Sequence, residues 1–189
     1  MKKTLYCGID LHSNNALYFV SDAQDKPLFK KRLNNHLPTV LEALEPFRKK
    51  LHIVAVESTY NWYWLVDGLM EAGFPVCLAN PAAIQQYNGI KNADDLTDAA
   101  FLARLARLNI LPTGYIYPKE DRPVRDMLRR RMLMVQQRTA TILSLQNMLL
   151  RETGRSRQWK TIAKLNPRDL TEDFISNEYL LFVVKQQSD

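Results

Sequence analysis

The chain has 189 residues, of which 46% are hydrophobic and 24% charged, with a formal net charge of +6. That length and composition describe a folded globular protein, one substantial domain plus an appendage. No apolar run approaches the ~20 residues a membrane-spanning helix needs, and the run behind the opening lysines is broken by Asp10, which argues against a signal peptide.

Taken in chain order, LYCGID (5–10), ALYFVSDA (16–23) and PLFKKRLNN (27–35) read as three strands of an antiparallel meander. Residues 39–50 have helical spacing, with Pro46 placed to end or kink the helix. LHIVAVES (51–58) is a β-branched run of the kind buried on both faces of a sheet. NWYWLVDGLMEAG (61–73) is helical and stops at Gly73. PVCLAN (75–80) is a fifth strand, and Pro81 opens a short helix. From Asp94 to Leu108, Leu96, Ala99, Leu102, Ala103, Leu105 and Ala106 form the apolar side of an amphipathic helix. The order predicts a mixed α/β sheet with an antiparallel side and parallel crossovers.

LPTGYIYP (111–118) is rich in turn-formers and marks a boundary. Residues 124–152 then contain no Gly or Pro and predict a long helix. Leu128, Val135, Ile142 and Leu149 recur every seven residues, but Met132, Thr139 and Gln146 make a poor companion stripe. A partner helix, within the chain or from another copy, would cover that stripe. TGRSRQWK (153–160) reads as a basic loop, and NEYLLFVVK (177–185) as a further short helix. The expected divisions are 1–112, 119–152 and 153–189.

The positive charge is unevenly placed. Residues 119–160 hold 11 Lys/Arg against 4 Asp/Glu, whereas residues 1–118 hold 12 against 11. A basic middle segment suits a polyanionic partner, and a solvated helix face is the plain alternative. Arg129, Arg130, Arg131 and Arg138, then Arg151, Arg155, Arg157 and Lys160, are the candidate phosphate contacts. Three consecutive arginines cover most of a helix circumference, so some must face away from any partner helix. Cys7 and Cys77 lie in apolar strands without metal-ligand spacing, which reads as two buried reduced thiols of a cytosolic protein.

Four acids stand apart. Asp10 ends the first strand, Glu57 ends the fourth, and Asp95 and Asp98 share a helix face at i and i+3. Parallel strands ending at one edge set their carboxylates side by side. Such a cluster needs divalent cations to neutralise it, and two ions roughly 3.5–4 Å apart suit phosphodiester chemistry, one activating the nucleophile and one stabilising the leaving oxygen. Each acid also has a bland reading: a turn cap, a strand end, or helix-dipole acids of the first turn, as Asp94 would be. Trp62, Tyr63 and Trp64 could stack on an unpaired base but at helical spacing suit a core. Of the three histidines only His12, beside Asp10, invites a test.

GIDLHS (8–13), VESTYNWYWLVDGLMEAGFPVCLANP (56–81) and ADDLTDAAFLARL (94–105) together resemble the DEDD-type transposases of the insertion-sequence 110 family, which includes Piv-type DNA invertases. The resemblance covers roughly residues 5–110, in three blocks in the right order. It implies a ribonuclease-H-like (RuvC-like) fold, and a two-ion magnesium site, open to manganese as substitute, on Asp10, Glu57, Asp95 and Asp98, with Asp94 off the motif position. It also implies action on DNA during transposition, a coiled-coil segment that makes a homo-oligomer, and a bacterial or archaeal cytoplasm. Some relatives are guided by a structured RNA made from the element itself, which admits an RNA partner here.

The family also carries a C-terminal domain with a recombinase-like serine, and Ser156, Ser176 and Ser188 lie in no matching context. Ser13 and Ser58 adjoin the acids without qualifying as nucleophiles. The expectation is therefore a catalytic N-terminal part, truncated or cut, that needs the serine domain for full recombination. The alternative is a catalytically incomplete nucleic-acid-binding and dimerisation module. GID before a polar turn also opens actin-like kinases, but six scattered glycines supply no phosphate loop.

Overall fold

The computed structural model describes residues 4–87, 98–156 and 158–162. The chain divides into two compact units, Met1–Ile116 and Tyr117–Asp189. The predicted helix near 177–185 lies outside the described residues.

The first unit is built on six strands: β1 Leu5–Leu11, β2 Asn15–Ser21, β3 Pro27–Asn34, β4 Leu51–Glu57, β5 Val76–Ala79 and β6 Thr113–Gly114. They form one sheet in the order β3-β2-β1-β4-β5-β6. The β1–β2 and β2–β3 pairs are antiparallel, whereas β1–β4 and β4–β5 are parallel. The expected strand pattern holds, with one addition. β6, read as part of a boundary, adds two residues antiparallel to β5, too short for any alternation to show.

Alternation along the strands decides which side chain meets which layer. Cys7, Ile9 and Leu11 of β1, Ala16, Tyr18 and Val20 of β2, and Val54 and Val56 of β4 face one way and are fully or almost fully buried. α1 (Leu37–Leu44) and α2 (Tyr63–Glu71) close that core with Val40, Leu44, Leu65, Val66 and Leu69. α1 ends where Pro46 forces a 3-10 turn at Glu45–Phe47. α2 ends before Gly73, whose φ of +80 suits a residue without Cβ. Trp62 is buried in this core, and Tyr63 and Trp64 pack against it, so the packing reading of that aromatic run applies.

The opposite face is covered differently. α3 (Pro81–Ile84) is a single turn capped by the Asn80 side chain, which accepts from the Ala83 amide at 3.4 Å. α4, described from Asp98 to Arg107, lies on β1, β2 and β4. Its Leu102 and Ala106 pack on Ala55 and Ala79. A Cβ on Gly8 would run into the Ala99 carbonyl oxygen and come within 2.8 Å of the Ala103 nitrogen. Gly8, Ala99 and Ala103 therefore let the first turns of α4 sit directly on β1. The two thiols fall on opposite faces of the sheet: Cys7 in the α1–α2 core, Cys77 on the α4 side.

In the second unit α5 spans Arg122–Thr153, 32 residues, and closes on Gly154 in the left-handed conformation. The seven-residue stripe divides in two. Ile142 and Leu149 are buried, whereas Leu128 and Val135 are exposed. Part of the predicted basic loop is instead α6 (Trp159–Ile162), whose Ile162 is buried and which packs on α5. Packing from outside the helix, invisible to local composition, is what organises this turn.

Candidate metal and nucleic-acid site

The parallel register of β1 and β4 pairs Ile9 with Val56, so Asp10 and Glu57 are the next residues on adjacent strands. Asp10 is two residues on from Gly8, and Glu57 two on from Ala55, so both carboxylates take the α4 face. Asp98 is the first described residue of α4, immediately before the Ala99 that rests on Gly8. Sheet and helix thus bring Asp10, Glu57 and the start of α4 to one end of one face. Asp95, the fourth predicted acid, lies outside the described residues, as does Asp94.

Asp10 is only 7% exposed, while Glu57 is half-buried and Asp98 exposed. The His12 ring places Nε2 3.3 Å from Asp10 Oδ2 and is itself about half open to solvent. Two side-chain amides fix the turn that carries it. Asn35 donates to the carbonyls of His12 (3.0 Å) and Ser13 (2.9 Å), and Asn61 donates to the His12 carbonyl at 3.0 Å. Asn61 in turn accepts from the Thr59 hydroxyl at 2.8 Å. These amides were not singled out from the sequence; an Asn near a turn reads as a turn-former, and its long-range partner leaves no local signal.

Carboxylate oxygens are the donors that hard divalent cations take, and a nearly buried Asp10 supplies charge that such an ion would balance. The donor chemistry fits a magnesium-like ion. Among the described residues no group of three His, Cys, Asp or Glu is close enough to hold a metal, and Asp95, the remaining predicted ligand, is outside them.

At the other end of α4, Arg107 makes a bidentate pair with Asp25 in the β2–β3 turn, at 2.6 and 2.7 Å, and Arg104 adds a contact at 3.4 Å. Asp25 holds a positive φ of 62 in that turn. The clamp fixes α4 against the sheet and, through it, the place of Asp98.

Of the basic candidates in the second unit, Arg129, Arg130, Arg131, Arg138, Arg151, Arg155 and Lys160 are exposed, and Arg157 lies outside the described residues. Arg138, Ile142, Trp159 and Lys160 are among the residues that line a cleft of about 800 Å³.

A six-stranded mixed sheet, antiparallel on one side and parallel on the other, with acids ending its central strands under a helix, defines a ribonuclease-H-like α/β domain. Residues 7–153 match the family model DEDD_Tnp_IS110, described as a transposase, and the chain belongs to that insertion-sequence family. No curated protein matches the chain. The family is one of enzymes that cleave and recombine DNA, generally with divalent metal ions. Among the described residues no helix is long and apolar enough to cross a membrane.

Proposed function

We propose that this chain carries the acidic, metal-dependent part of a transposase, with Asp10, Glu57, Asp95 and Asp98 holding two magnesium ions over a DNA phosphodiester. The observation that carries the reading is the register: Asp10 and Glu57 follow the Ile9–Val56 pair on neighbouring parallel strands and share the face on which α4 begins. Bound ions would supply Lewis-acid stabilisation of charge at the reacting phosphate. The protein's part is to orient the carboxylates. β1 and β4 fix Asp10 and Glu57 through the sheet, and α4 fixes Asp98 through its seat on Gly8. His12 contacts Asp10 from the solvent side and orients that carboxylate. We assign no nucleophile to a serine of this chain; strand exchange by a serine domain belongs to the family resemblance.

The test is Asp10→Asn, which keeps the shape of the side chain. Mn2+ affinity, followed by the paramagnetic signal of the free ion, is expected to fall more than ~10-fold, and metal-dependent DNA cleavage is expected to vanish. Unchanged Mn2+ affinity would sink the site. A parent chain that binds Mn2+ and DNA without cleaving favours the alternative, a non-catalytic binding module.

We further propose that the domains divide by role, the first unit catalytic and α5 a helix for self-association. Exposed Leu128 and Val135, in line with the buried Ile142 and Leu149, support this. Light scattering of the purified chain should give a mass above 21.9 kDa; a monomer at every concentration removes the proposal.

A further inference from the structure

The acids lie on a sheet face that extends beyond α4, and the outermost strand on that face is basic. In the β1–β2 pair Asp10 stands opposite Leu17, and in the β2–β3 pair Leu17 stands opposite Arg32. Residues directly opposite in antiparallel strands share a face. Glu57, Asp10, Leu17 and Arg32 therefore form one row across four strands. By the same pairing Lys30 lies in the row of Phe19 and Gly8. Lys31 alternates to the other face, with Phe29 and Leu33.

Lys30 and Arg32 are exposed. Arg32 Nη1 donates to Asn15 Oδ1 at 2.6 Å, which steers the guanidinium over the same face as Asp10 and His12. Among the described residues no carboxylate pairs with Lys30 or Arg32. An edge strand gains from lysines that deter pairing with other sheets, and Lys31 alone would serve that end. That role does not account for an arginine tied by a neutral amide in the row of Asp10 and Glu57.

We infer that Arg32, with Lys30, forms a phosphate-binding strip on β3 that holds the DNA strand passing over Asp10; the inference rests on the acidic site proposed above. A DNA backbone brought to a row of carboxylates meets repulsion beside the reacting phosphate, and a cation on the flanking phosphates offsets it. The spacing suits this. Two strand separations of about 4.8 Å put Arg32 about 10 Å from Asp10 across the sheet, within reach of a phosphate flanking the reacting one on the same strand. Arginine also offers a planar fork that matches a phosphate, of which one donor is used on Asn15.

The experiment is binding of a fluorescein-labelled duplex DNA to the full chain, read by anisotropy over a salt series with EDTA present, so that no metal or cleavage is needed. Arg32→Ala is expected to weaken binding several-fold and to lower the slope of log K against log salt by about one, while Arg32→Lys keeps the slope. Lys31→Ala, one residue along but on the other face, is expected to keep both affinity and slope. Parent-like binding by Arg32→Ala overturns the strip, as does an equal loss in Lys31→Ala, which would mark bulk charge. Asp10→Asn, titrated with Mn2+ in the absence of EDTA beside the DNA series, separates the two proposals. Loss of Mn2+ binding with an intact Arg32 effect supports both, and intact Mn2+ binding removes the acidic site whatever Arg32 does.

Discussion

The side-chain amide of Asn61 reaches across to the main-chain carbonyl of His12, 49 residues away in sequence, and bonds to it at 3.0 Å. It thereby ties the segment that follows Glu57 to the turn that follows Asp10. Register alone brings the two strand ends together, and this bond keeps the loops beyond them from splaying.

Asn61→Ala is accordingly expected to cost about 1 kcal/mol, the ordinary net value of a hydrogen bond, and to lower Tm by a few degrees. Asn61→Asp should be worse, because a carboxylate cannot donate to the His12 carbonyl and adds negative charge beside Asp10. Thermal melts of the two variants check the order; Asp at or above Ala in stability refutes the role.

Gly8 makes the second prediction. A methyl group there meets the backbone of Ala99 and Ala103 rather than a flexible side chain, so α4 must move. Gly8→Ala is expected to cost about 1–3 kcal/mol in urea unfolding and also to weaken Mn2+ binding, because Asp98 moves with the helix. Gly73→Ala is the control. Its positive φ makes it costly by about 1–2 kcal/mol, yet Mn2+ binding should stay unchanged.

Much of this was legible in the amino acids. The strand ends at Asp10 and Glu57 showed because each closes an apolar run, and the alanines of 99–106 showed as a helix face. The thin places have physical causes. β6 is two residues in a proline- and glycine-containing stretch, given its strand character by β5 alone. The turn at Trp159–Ile162 takes its packing from α5. Arg32 looked like one cation in KKRLNN; only the register of three strands puts it in the row of Asp10 and Lys31 out of it. Asn35 and Asn61 act through bonds that span 23 and 49 residues, which no local window contains.

Alkaline pH should destabilise the fold. Burial pushes the Cys77 thiol up to about 11 from an ordinary 9.0, and burial raises Cys7 and the Tyr18 phenol as well. The unfolded chain therefore loses these protons first. Stability is complete below pH about 9 and falls as pH rises towards about 11 for Cys77, with a slope near 1.4 kcal/mol per pH unit for each proton involved. Urea midpoints across that window check it. Cys77→Ala should flatten part of the fall, and a fall of unchanged steepness would show that Cys77 has no share in it.

The Asp25–Arg107 clamp joins positions 82 residues apart, and this bears on how the chain is made. The face closed by α1 and α2 can assemble once β4 and α2 have left the ribosome. The other face, with Ala55, Ala79 and the acids, waits for α4 and is sealed only when Arg107 emerges. A nascent chain stopped anywhere before that point exposes half a sheet to the cell. The face that carries Asp10 and Glu57 is thus completed after the other, once α4 has followed the strands it covers.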